Sequence, residues 1–111
     1  MRINTPFYAS RDLIKAIDFK AESLKISRSR VIEICLQKFL YRKSIQYYRN
    51  RIIFNHDIIS NPVRVGITID NTLLLKIKKL AKALKGNGKV STVRLIRIAI
   101  YENLWRLENE T

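Results

Sequence analysis

KISRSRVIEICLQKFL, residues 25–40, opens on alternating hydroxyl and guanidinium groups, Ser27, Arg28, Ser29 and Arg30, and then turns apolar with Val31, Ile32, Ile34, Cys35 and Leu36. KVSTVRLIRIAIYENL, residues 89–104, repeats the plan, with Lys89, Ser91, Thr92 and Arg94 leading into Leu95, Ile96, Ile98 and Ala99. The chemistry open to such a helix start is phosphate binding. Its first N–H groups have no carbonyl partner and carry partial positive charge, so an anion is stabilised there. The hydroxyls add donors and the cations add charge. Ordinary helix capping by Ser27 and Ser91 is the competing explanation. Composition tips the balance: 22 Lys and Arg face 9 Asp and Glu, a net charge of +13 on 111 residues. That excess favours a polyanionic partner, nucleic acid before an anionic membrane surface.

Catalytic chemistry has little to work with. His56 is the only histidine and Cys35 the only cysteine, so no Cys–His set for zinc exists. Glycine-rich phosphate loops, dinucleotide fingerprints and convincing carboxylate pairs are missing as well. Glu33, Glu102, Glu108 and Glu110 read as surface acids, and Cys35 as a small buried residue. The expectation is a protein that is not an enzyme, with no cofactor, no metal and no small-molecule substrate. A single cysteine forms no intramolecular disulfide, which suits a reducing compartment. The opening MRINTPFYAS lacks a signal-peptide core, and no apolar run approaches the roughly 18 residues that span a bilayer. A cytoplasmic location with no membrane partner is expected.

The elements that position these openings come in two copies. Shifted by 60 positions, Leu73, Leu74, Ile77, Ala81 and Leu84 fall on Leu13, Ile14, Ile17, Ala21 and Leu24, one face of an amphipathic helix. Asp70 falls on Ser10, and both are good N-caps. Beyond this helix the shift becomes 64, placing Ser91 on Ser27, Arg94 on Arg30, Ile96 on Ile32 and Ala99 on Cys35. The extra residues sit around KGNGK, 85–89, a glycine-rich loop. Each half reads as strand, helix, turn, helix. Val65, Ile67 and Ile69 alternate with Arg64, Gly66 and Thr68 as a strand. Ile3, Thr5, Phe7 and Ala9 take the inner parity of the first strand; Arg2, Asn4, Pro6 and Tyr8 take the outer. Pro6 fits only where its missing N–H faces away from a partner. Between the halves, 41–62 is expected to extend the second helix by a turn or two, cross over, and end at Asn61-Pro62; IIFNHDII, 52–59, is apolar enough to pack on something. Tyr41 and Trp105 occupy matching positions near the ends of the second helices; they read as core lids or as a contact for another molecule, with core the favoured expectation. Lysines 76, 78, 79, 82 and 85 are expected as a solvated face opposite Leu73, Ile77 and Leu84, with contact to flanking phosphates by some of them as the alternative.

One strand–helix–helix unit of about 40 residues is too small for a stable core, and its lone strand leaves backbone groups unpaired. Two units solve both problems if their strands pair. LKISRSRVIEICLQKFL and RVGITID resemble the ribbon–helix–helix DNA-binding proteins, the group of the Arc and MetJ repressors. The likeness covers Arg2 to about Leu40 and again Val63 to about Leu104. It implies a mostly α fold with a two-stranded antiparallel β-ribbon, in which two ribbon–helix–helix units (βαα-βαα) form an intramolecular pseudo-dimer. The first unit would span 1–42, a crossover linker 43–62 and the second unit 63–111, all in one compact domain.

What the resemblance implies for function is sequence-specific binding of double-stranded DNA, in a small transcriptional repressor whose ribbon enters the major groove. Carried over by position, the base-contacting side chains are Arg2, Asn4 and Tyr8 from the first strand and Arg64, Gly66 and Thr68 from the second. Pro6 and Gly66 depart from the family's polar pattern. The helix starts, Ser27, Arg28, Ser29, Arg30, Lys89, Ser91, Thr92 and Arg94, would clamp the DNA backbone. Because the strands differ, an asymmetric site is expected, bound by a monomeric pseudo-dimer that lines up with other copies on adjacent sites. The alternatives are an antitoxin, which the seven residues after Leu104 make a short fit, and an accessory DNA-binding protein of plasmid transfer or partition. A further alternative is a non-specific binder of RNA or anionic membrane.

Overall fold

The computed structural model describes residues 1–41, 43–54, 62–84 and 91–110. Among them, β1 (Arg2–Ala9), α1 (Arg11–Leu24), α2 (Arg28–Leu40), α3 (Ile45–Phe54), β2 (Val63–Asp70), α4 (Asn71–Ala83) and α5 (Thr92–Asn103) follow in order, and a 3₁₀ segment, Leu104–Glu110, closes the chain. The fold is mostly helical, with one two-stranded antiparallel sheet.

Strand alternation and capping set these boundaries as the sequence predicts. Phe7, Ala9, Ile67 and Ile69 point inward and are buried, while Asn4, Pro6, Tyr8, Arg64, Gly66 and Thr68 point outward. Ser10, Ser27 and Ser91 each accept the N–H three residues on, from Leu13, Arg30 and Arg94, and Asp70 accepts from Thr72 N–H. At its other end α1 stops in a Schellman turn: Ile26 N–H donates to the Ala21 carbonyl (3.0 Å) and Lys25 N–H to that of Glu22 (3.2 Å). Lys25 holds the left-handed conformation this turn needs, at φ 57°, a position glycine usually fills.

The apolar stripes meet under the ribbon. α2 packs more extensively on α5 than any other helix pair does, with Ile32, Leu36, Ile96 and Ala99 fully buried between the inner face of the ribbon and the stripes of α1 and α4. Each such aliphatic side chain contributes about 1.5–3 kcal/mol on burial.

Between the halves the expectation needs correction. Instead of running on, α2 ends at Leu40, and a new helix, α3, starts after Ser44, whose Oγ accepts from Tyr47 N–H (3.1 Å). Tyr48 explains the break. It is buried, its hydroxyl donates to the Phe39 carbonyl (2.9 Å), and the two rings stand 5.0 Å apart. The bond satisfies one of the carbonyls that the end of α2 leaves without an intrahelical partner. Of IIFNHDII, residues 52–54 close α3; 55–59, with His56, lie outside the described residues, as do Asn61 and the 85–89 loop.

Candidate nucleic-acid interface

The ribbon register pairs Asn4 with Thr68, Pro6 with Gly66 and Tyr8 with Arg64. The even-numbered residues send backbone groups away from the partner strand. Thr68 N–H donates to Ser29 Oγ (2.9 Å), Asp70 N–H to Glu33 Oε2 (3.0 Å), and the Tyr8 carbonyl accepts from Arg97 (2.8 Å). Opposed pairs in an antiparallel ladder alternate between bonded and non-bonded. Pro6–Gly66 is therefore a pair that exchanges no ladder bonds, and the missing proline N–H leaves the sheet intact.

The outward face is thus built from closely spaced non-bonded pairs. At one end Asn4 lies opposite Thr68, offering an amide and a hydroxyl. At the other, the Arg64 guanidinium sits 5.9 Å from the centre of the Tyr8 ring, within range of a cation–π contact. The middle is low. Gly66 adopts no left-handed conformation, and a Cβ on it would stand 3.4 Å from Asn4 Oδ1, in near-ordinary contact. The ribbon itself does not require glycine at this position.

A helix runs along each edge of this face. Through Ser29 and Glu33, α2 lies along β2; through Arg97, α5 lies along β1. Ser29 therefore touches the ribbon on one side, with Ser27 and Arg30 in the same first turn of α2, and Ser91, Thr92 and Arg94 belong to the start of the helix on the other. Ser27 and Ser91 are occupied as acceptors in their caps, and Ser29 as acceptor for Thr68. In each case the hydroxyl's own hydrogen is still a donor. Lys89 lies outside the described residues.

Two predicted contacts are turned elsewhere. Arg2 folds back across the strand: its Nη2 lies 3.0 Å from the Thr68 carbonyl, 3.3 Å from Thr68 Oγ1 and 2.8 Å from Glu33 Oε1. The last is a charge contact without hydrogen-bond alignment. Arg28 makes a bidentate pair with Asp18, Nε to Oδ1 at 2.7 Å and Nη2 to Oδ2 at 2.8 Å. This hydrogen bonding holds the Asp18 carboxyl below its ordinary value and raises Arg28, against an opposing effect of burial on each.

Glu33 corrects another expectation. It is no surface acid but 2% exposed, beneath the ribbon edge. Its counterpart under the 64-residue shift is Arg97, also buried. The sequence carried a signal for both: each is a single charge inside an apolar run, at the same place in both halves. Tyr41 and Trp105 are likewise not core lids, at 64% and 62% exposed. Cys35 is buried as expected, and burial pushes its thiol up to about 12. Among the described residues no helix is long and apolar enough to cross a membrane. No protein-family model, curated protein or solved structure matches the chain.

Proposed function

We propose that the chain is a sequence-specific double-stranded DNA-binding protein, a small transcriptional repressor that lays its two-stranded ribbon in the major groove and holds the flanking phosphates with the starts of α2 and α5. The observation that carries this is the ribbon's solvent face: polar side chains on a paired strand ribbon, with the first turn of α2 beside one edge at Ser29 and α5 beside the other at Arg97. A ribbon of this width fits the major groove, and +13 supplies attraction to the duplex.

Two ribbon–helix–helix units forming an intramolecular pseudo-dimer account for the architecture. Register supports this. The 60-residue shift sets Pro6 on Gly66, and the same two residues face each other across the ribbon, as a two-fold axis through that pair requires. Element order supports it too, β-α-α on each side of α3. The units then divide as 1–42 and 63–111, with 43–62 between them.

On this account Arg64 reads guanine through two hydrogen bonds, Asn4 pairs with adenine, and Thr68 meets a thymine methyl or a polar base edge. Tyr8 steadies Arg64. The low Pro6–Gly66 centre lets the backbone approach the groove floor, as glycine permits where another surface comes close. Arg2 acts as a positioning residue for Thr68, and Arg28 fixes α1 to α2. Unlike ends predict an asymmetric operator. Selection from random duplexes, followed by footprinting, tests this. Arg64→Ala is expected to lower affinity for the selected site by about 1–3 kcal/mol while leaving random duplex unaffected. Arg30→Ala should weaken both equally. A strictly palindromic selected site, or an Arg64→Ala loss equal on all sequences, would contradict the assignment.

A further inference from the structure

On the reading that the ribbon lies in the major groove, we infer that its centre recognises the C5-methyl group of a pyrimidine, so that the middle base pair of the site carries thymine or 5-methylcytosine. Pro6 and Gly66 face each other there, both exposed, and neither has a side-chain donor or acceptor. Ladder bonds run across the strands in the plane of the sheet, so backbone N–H and C=O groups do not project from the outward face either. What the centre presents is the pyrrolidine ring and the Gly66 Cα. With Asn4 and Arg64 these line a notch of about 420 Å³. Its rim is polar and its middle is apolar.

An apolar spot between polar contacts can distinguish one feature of the groove. Every base pair shows hydrogen-bonding groups on its major-groove edge, and CH2 groups answer none of them. Position C5 of the pyrimidine is different: thymine holds a methyl there and cytosine a hydrogen. A methyl entering the notch removes apolar surface from water on both sides, whereas a bare C5–H leaves a gap. The flanking contacts fix which pair is read. Asn4 and Arg64 stand two residues to either side of the centre along the ribbon. At a strand rise of about 3.4 Å per residue they are about 14 Å apart along it, the length of about four base-pair steps. The methyl therefore belongs to the middle pair, between the guanine read by Arg64 and the adenine read by Asn4. The thymine that Thr68 meets lies at the Asn4 end and is a separate one.

Duplexes of the selected site with each thymine in turn replaced by deoxyuridine test this, because the exchange removes one methyl and keeps every hydrogen-bonding group. The base pairs at which Arg64→Ala and Asn4→Ala lose discrimination locate the middle pair. Deoxyuridine there is expected to weaken binding about three- to fourfold, the scale of one buried methyl. With cytosine in its place, 5-methylation should recover a similar factor. Pro6→Ser, which sets a hydroxyl in the notch, should bring the ratio of thymine to deoxyuridine binding toward one. Arg30→Ala should lower both alike and keep the ratio. A chain that selects a site and depends on Arg64, yet binds the thymine and deoxyuridine duplexes equally, would overturn the inference and leave the DNA-binding reading standing. So would selection of an unmethylated G·C at the middle pair. A chain that binds all duplexes alike would remove the DNA-binding reading itself, and this inference with it.

Discussion

Two helices grip the ribbon at matching positions by opposite means. α2 sends Glu33 to accept the Asp70 N–H and meet Arg2, while α5 sends Arg97 to donate to the Tyr8 carbonyl. Apolar positions around them agree closely: Val31, Ile32, Cys35 and Leu36 match Leu95, Ile96, Ala99 and Ile100, and all eight are buried. Packing depends on shape and volume, which the two halves can share. A backbone edge offers a donor at one residue and an acceptor at another, so each clasp can serve only the group it faces. Ser29 sharpens the point. It holds Thr68 N–H, and its counterpart, Val93, has no hydroxyl with which to hold β1. The halves are thus alike in what folds them and unlike in what they present.

The comparison can be broken first at its apolar level. Ile32→Ala and Ile96→Ala, both at fully buried positions, should each lose about 2–5 kcal/mol, with nearly equal values in urea denaturation. A much smaller loss at one site would mean the halves do not share the core evenly. At the polar level the outcomes should diverge. Glu33→Ala leaves the Asp70 N–H without its acceptor and should destabilise by about 1–3 kcal/mol. Arg97→Ala should do less, because the carbonyl it served belongs to the exposed Tyr8 and water can replace the bond. Exchanging the two charges, Glu33→Arg with Arg97→Glu, should not restore stability, since each new group faces a backbone atom of its own kind.

Smaller effects probe the outward face and the α1–α2 link. Gly66→Val puts a good strand former where the ribbon has room, so stability should hold or rise by up to about 1 kcal/mol. DNA affinity should nevertheless collapse, because the low centre is filled. Retained binding would remove the case for close approach there. Asp18→Asn should have the least effect. Arg28 depresses the Asp18 carboxyl, so its contribution is present above the ordinary carboxylate range and is lost as pH falls through the depressed folded value. With 45% and 34% side-chain exposure for Asp18 and Arg28, solvent screening keeps it below about 1 kcal/mol. Urea melts at neutral and acid pH should show that much less acid dependence in the variant.

Strand parity, four helix caps, the apolar stripes and the outward ribbon residues were all legible, because each rests on a local pattern of period or type. The Pro6–Gly66 pairing was foreshadowed by the repeat. What could not be read came from groups meeting across the fold. Arg2 looked like a groove contact until Glu33, 31 positions away in the chain, bent it back. Arg28 looked like a phosphate ligand until Asp18 claimed its guanidinium. Tyr48 ended α2 from outside that helix. Trp105 and Tyr41 matched in position, and both were expected inside; their exposure depends on how the helix ends pack, which periodicity does not encode.

Backbone amide shifts of labelled chain during titration with a selected duplex test the ribbon's role most directly. The account predicts the largest changes at Asn4, Tyr8, Arg64, Gly66 and Thr68, followed by the first turns of α2 and α5. A silent ribbon, with changes gathered instead on the α4 lysines or around Phe19 and Trp105, would contradict it.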